Sequence, residues 1–235
     1  MEQSSNNNRL LMGESRLCDL ITAHPSLLTL LMRVGIQLGF GDRSIADVCR
    51  KSGVDADFFL LICNVYTFDH YAPSIATIVD TDMTQLVPYL EKSHKYYVDK
   101  RLPHIEQHLD RIAQQLPPRI GKVFIHFFEE YKREVVAHFE HEERDVFPHI
   151  NALLAHKSDS SYSIGEFLQT HGDINAKLDD LVNIIFKYLP AQVDDDDVLD
   201  VVYDILRLST DLKKHTFIEE KIMVPLVEHL ERAES

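Results

Sequence analysis

Two phrases in the chain carry residues suited to metal chemistry. Residues 138–148 read HFEHEERDVFP, and residues 215–225 read HTFIEEKIMVP, 77 positions later. Both fit one template: His, three residues, Glu-Glu, four residues, Pro. On a helix His138 and Glu142 project from one face, as do His215 and Glu219, because residues four apart are surface neighbours. One such pair is an ordinary surface contact, but the same phrase written twice is stronger evidence. A lone histidine precedes each phrase by the same interval: 44 positions separate His94 from His138, and 44 separate His171 from His215. The region therefore reads as two helical hairpins of one design. Folded together, they direct His94, His138, Glu142, His171, His215 and Glu219 inward. Shared between two ions, this set gives each two imidazole nitrogens, with both carboxylates able to bridge, as in di-metal carboxylate sites of helix bundles. The lack of thiolates argues against an iron-sulfur cluster or a cysteine zinc site. The imidazoles exclude the all-oxygen coordination of magnesium or calcium. Mixed nitrogen and oxygen donors suit two non-haem iron ions, and manganese or zinc is also compatible. Two irons need more donors than these six residues offer, so open positions or exogenous bridges are expected.

The remaining histidines of the thirteen in the chain fit this design less well. His126, His141, His149, His156 and His229 do not recur between the halves and read as surface or supporting residues. Glu143 and Glu220 sit a further 100° round the helix from the candidate ligands and read as solvated. His104 and His108 lie about 15 and 21 Å along the helix axis from His94 at 1.5 Å per residue. Only a helix break would bring either to the same metal as a seventh ligand. Pro148 and Pro225, ten residues past the ligand histidines, mark the helix framework and take no part in the chemistry.

Four long helices must position this set, running from about Thr84 to Leu116, Ile120 to His156, Ile164 to Tyr188 and Val198 to Glu231. Pro117-Pro118 ends the first. The acidic run 194–197 precedes the fourth, where the helix dipole favours it. Short connections imply an up-down-up-down four-helix bundle in an all-α protein. A small helical N-terminal domain comes before it. There Ser26, Ser44 and Asp55 read as helix caps and Gly53 as a helix stop. The expected division is a flexible tail at 1–15, the helical N-terminal domain at 16–80, and the bundle with its di-metal site at 81–235. The apolar stretch from Phe58 to Phe68 could dock on the bundle or on a second subunit, so a homodimer is open to the chain.

Composition narrows the partners. The chain has 235 residues and a net charge of −14, which repels phosphate backbones and argues against nucleic acid. No run approaches the roughly 18 apolar residues of a membrane span. Cys18, Cys49 and Cys63 form no C-x-x-C pair. With a polar start, MEQSSNNNRL, that lacks a signal-peptide pattern, they point to reduced thiols and a cytoplasmic location.

Taken together, His94 with YYVDKRLP after it, HFEHEERDVFP, His171 and HTFIEEKIMVP resemble a haemerythrin-like (HHE) di-iron domain, over roughly residues 81–231. More narrowly they resemble the class that repairs iron centres. The line GIQLGFGDRSIADVCRKSGVD is similar to the short helical domain preceding the bundle in that class. The resemblance implies a non-haem di-iron protein of nitrosative and oxidative stress. It would bind NO or O2, or supply iron to damaged iron-sulfur proteins; a reversible O2 or NO carrier or sensor without turnover is the alternative. The chain departs from the class twice. The adjacent cysteines usual in its N-terminal domain are replaced by Gly39 and Phe40. A further histidine ligand expected near Gln114 and Gln115 is missing.

Overall fold

The structure, a computed structural model, describes residues 10–157, 162–170, 174–190 and 193–234. Its contacts divide the chain into two compact units, Met1–Gln85 and Leu86–Ser235. The described residues form helices and no β-strand beyond one isolated bridge, between Arg16 and Ser44.

The first unit contains α1 (Leu17–Ala23), α2 (Leu27–Val34), α3 (Ile45–Ser52), α4 (Ala56–Thr67) and α5 (Ile75–Asp80). Local chemistry sets most of their ends. The Ser44 hydroxyl accepts from the Asp47 N–H at 3.2 Å, and the Asp55 carboxylate accepts from the Phe58 N–H at 2.8 Å. Each satisfies a donor that the first helical turn leaves open. Gly53 ends α3 in the left-handed region (φ 68°), which favours a residue without a side chain. Ser26 does not cap α2. It is already helical, inside a turn whose carbonyls at His24 and Pro25 accept from Leu27 and Leu28, and its hydroxyl makes no cap hydrogen bond. α4 packs against α2 and α3, and Phe58, Phe59, Ile62 and Cys63 on it are fully buried.

The second unit is a four-helix bundle. Its first arm joins α6 (Leu86–Tyr96) to α7 (Leu102–Gln114), and its second joins α8 (Pro118–His141) to α9 (Phe147–Leu154). The third comprises α10 (Ile164–Thr170) and α11 (Ala176–Tyr188), on either side of residues 171–173. The fourth joins α12 (Asp195–Ile218) to α13 (Val224–Glu234). α7 packs on α8, α8 on α11, α11 on α12 and α12 back on α7, closing the ring. Ile105, Leu109 and Ile112 of α7 meet Phe124, Phe128 and Tyr131 of α8, with Leu181 and Ile185 of α11 and Ile205, Leu208 and Leu212 of α12 in the same core. Their spacings of three, four and seven residues are those of a core-facing helical stripe. The turn at Pro117 brings α8 so close to α7 that a Cβ on Gly121 would lie 2.7 Å from the Ala113 carbonyl oxygen. The acidic run behaves as a cap: the Asp194 carboxylate accepts from the N–H groups of Asp196 and Asp197. Gln115 ties this cap to the end of α7, accepting from the Asp194 N–H at 2.8 Å and donating to Asp197 at 2.7 Å.

Three arms share a feature absent from the sequence expectation. A π-helical segment interrupts each: Tyr97–Arg101, Glu142–Val146 and Glu219–Met223. In each, a backbone N–H reaches back five residues: Leu102 to Tyr97, Phe147 to Glu142 and Val224 to Glu219. A proline follows one residue after each donor, at Pro103, Pro148 and Pro225. A proline inside a helix lacks a donor, and its ring collides with the carbonyl four residues earlier. Those carbonyls belong to Asp99, Arg144 and Lys221, each inside a π segment. The wider turn moves them aside and the arm continues.

Candidate metal centre

The π segments begin where the candidate metal ligands end. Glu142 opens the second and Glu219 the third, and His94 lies one turn before the first. Pro148 and Pro225 therefore do more than mark the framework: they fix the turn on which each glutamate sits.

His94, Glu142, His215 and Glu219 converge, with one donor atom from each within 4.8 Å of the others. All four are at most 1% exposed. His94 Nε2 lies 3.1 Å from His215 Nε2 and 3.2 Å from Glu142 Oε2, while His215 Nε2 lies 2.7 Å from Glu219 Oε1. His138 is half-buried beside them, its Nε2 3.4 Å from Glu142 Oε1. The sixth expected ligand, His171, lies outside the described residues.

Aromatic rings wall the cluster. His94 stacks on Phe139 with centroids 3.9 Å apart, and Phe147 and Tyr97 lie close to the two imidazoles. Packing of this kind removes water and makes isolated charge costly. Burial accordingly pushes the His94 imidazole well below its usual range, with His215 adding to the effect. Burial also pushes the Glu142 carboxyl well above its usual range, with the Glu219 charge adding to it.

The donors fit a cation. The His94 Nδ1–H donates to Glu143 Oε1 at 3.0 Å, which leaves the lone pair on Nε2. That lone pair points at a second ring nitrogen and at a carboxylate oxygen, and among the described residues no group donates a hydrogen bond to either Glu142 oxygen. A neutral His215 with its proton on Nε2 can serve His94, but it leaves both Glu142 oxygens without a donor among the described residues. A metal ion satisfies all of the lone pairs at once, and neutral imidazole with buried carboxylate is the donor set that iron and zinc take.

One supporting residue was missed in the sequence. Glu143 is half-exposed yet holds the His94 ring. A residue 100° round from an inward-facing glutamate points at the neighbouring helix, which here is α6. His149 is buried, and its Nε2 pairs with Glu231 Oε1 at 2.8 Å. The same oxygen accepts from the Ile164 N–H, so Glu231 joins α9, α10 and α13. The His141 Nδ1 bonds Asp145 at 2.8 Å, and His126 and His229 are exposed. His104 and His108 do not join the His94 cluster; they meet Asp204 of α12.

Neither the curated proteins nor the solved structures offer a match to the chain. A family model does: the Hemerythrin HHE cation binding domain matches residues 85–227. This match spans three of the π-broken arms and every donor described above. By that match, the chain belongs to the hemerythrin HHE cation-binding domain family.

Proposed function

We propose that the chain is a non-haem di-iron protein of the class that repairs iron centres, acting in nitrosative and oxidative stress. It binds NO or supplies iron to damaged iron-sulfur proteins. The observation that carries this reading is the buried contact of His94 Nε2 with His215 Nε2 and Glu142, donors left facing one another in an apolar pocket. His94, His138, Glu142, His171, His215 and Glu219 would hold the ions. Two bound irons supply a redox-active, Lewis-acidic centre with open positions for a diatomic ligand. The protein's own part is positional. Glu143 fixes the His94 ring and its tautomer, as carboxylates behind metal-bound imidazoles do. Phe139, Phe147 and Tyr97 keep water out. The π segments set the angle at which Glu142 and Glu219 enter. Anaerobic loading with Fe(II) tests the reading, followed by exposure to NO and then to an apo iron-sulfur protein. Two irons per chain, with N2O formed or iron transferred, are expected; no bound iron would overturn it.

One observation favours a second reading, a reversible O2 or NO carrier or sensor. The N-terminal unit has no adjacent thiols, and Cys49 and Cys63 are buried. Burial pushes the Cys49 thiol up to about 12 and the Cys63 thiol well above its usual range. Such thiols are poor nucleophiles and poor redox partners. Stoichiometric spectral change that reverses on removing the gas, without N2O, would select this reading.

A further inference from the structure

We propose a second metal site in the bundle, formed by His104, His108 and Asp204, which binds one divalent transition metal of the zinc type. The two histidines are four apart on α7 and share a face, and Asp204 comes from α12 across the helix interface. His104 Nε2 lies 3.0 Å from Asp204 Oδ2 and 3.3 Å from His108 Nε2, and His108 Nε2 lies 3.8 Å from the same carboxylate oxygen. Donors about 2.1 Å from a common metal stand about 3.0–3.4 Å apart in octahedral or tetrahedral geometry. Two of the three separations already have that value, and the third needs a small rotation of one ring.

Hydrogen bonds alone do not satisfy this triangle. Arg111 donates to His108 Nδ1 at 2.7 Å, so neutral His108 carries its proton on Nε2. If that proton goes to His104 Nε2, the His104 lone pair is engaged, and no proton remains between His104 and Asp204 at 3.0 Å. If His104 Nε2 carries a proton for Asp204 instead, two N–H groups face each other at 3.3 Å. A cation at the centre removes the conflict. On binding, the His108 proton moves through solvent from Nε2 to Nδ1 with none released, and Arg111 turns from Nδ1 to Asp197, with which it already pairs at 3.3 Å. Arg101 donates to the other Asp204 oxygen at 2.9 Å and so aims Oδ2 at the imidazoles, the usual support for a metal-bound carboxylate.

The site is separate from the first. His104 is ten residues beyond His94, and Asp204 eleven before His215, roughly 15 Å along each helix. It is also of another kind. His104 is half-exposed while His108 and Asp204 are largely buried, so solvent reaches the triangle from the His104 side and would complete the coordination of a metal there, as in zinc sites that exchange ligands. Its occupant would clamp the first arm of the bundle to the last.

The test uses the full chain loaded with iron, dialysed against Zn2+ and analysed for both metals. The wild type should hold one zinc per chain more than the His104→Ala/His108→Ala variant, with iron content the same in both. The isosteric Asp204→Asn variant should also lose that zinc, which covers a folding defect in the double variant. The His215→Ala/Glu219→Ala variant should lose iron and keep the zinc, so failure of the di-iron reading and failure of this one are distinguishable. Equal zinc in wild type, the double variant and Asp204→Asn would overturn the proposal.

Discussion

Glu143 separates the role of a ligand from the role of a residue that holds one. It touches His94 on the nitrogen away from the cluster, and its own carboxyl is pushed upward by burial and by the nearby Glu91 and Glu140 charges. Replacing it with Ala leaves every donor in place but frees the ring. We expect Glu143→Ala to weaken iron binding about 10- to 100-fold, the usual cost of losing such support. Competition against a chelator would measure it. His141→Ala should leave the affinity unchanged, because His141 pairs with Asp145 and its echo in the second phrase is Ile218. Comparing the two phrases therefore makes one distinction legible, first histidine against second. It cannot reveal Glu143, whose partner lies 49 positions away on another helix. The His104, His108 and Asp204 group was hidden for the same reason: the histidine pair is visible in the sequence, but the aspartate comes from another arm.

At the scale of the helix, caps and stops were the most legible features, since Ser44, Asp55, Gly53 and Pro117 act through neighbours in sequence. The π segments were not legible, because an interval of 44 residues between histidines is the same whether or not the helix contains a wide turn. The signal was nevertheless present, as a proline after Arg101-Leu102, Val146-Phe147 and Met223-Val224. Pro148→Ala together with Pro225→Ala should raise the stability of the metal-free chain, by no more than the ~3 kcal/mol that each interior proline costs an unbroken helix. It should also lower iron affinity as the glutamates lose their fixed turn. Calorimetry and metal titration read the two effects separately; a gain in stability with unchanged affinity would show that the π turns persist without the prolines. Gly121→Ala should cost about 1–3 kcal/mol, as overpacking does, because the Ala113 carbonyl must move. A denaturant midpoint on the metal-free chain checks this.

For the molecule as a whole, a metal held by the buried cluster would make stability depend on it. Metal-free, the bundle keeps His94, His215, Glu142 and Glu219 in an apolar pocket where charge is costly. Chelation should therefore lower the thermal midpoint of the bundle. The stabilisation on loading should be about 2.7 kcal/mol when free iron is a hundredfold above its dissociation constant. Scans with and without chelator measure the difference. In the N-terminal unit the thiols supply the pH test. A thiol pushed up to about 12 holds its proton at pH 8, and only the thiolate attacks an alkylating reagent. Cys49 and Cys63 should then resist iodoacetamide at pH 8 while partly exposed Cys18 reacts, as mass spectrometry of the native chain would show. Labelling of Cys49 should rise as pH climbs toward 12.

Each π turn also has a meaning for chain length. It is one residue more than the straight helix needs, absorbed inside the arm instead of in a loop. Removing a single exposed residue there, such as Lys221, would close the wide turn to an ordinary α turn. Because the wide turn already takes up the extra residue, the helix beyond it would keep its face, with Leu226 and Val227 still on the core. The three arms can therefore each be read as an α-helix with a tolerated insertion. The proline after it makes that insertion hard to undo, because an unbroken helix at that point would again press the ring against the carbonyl four residues back.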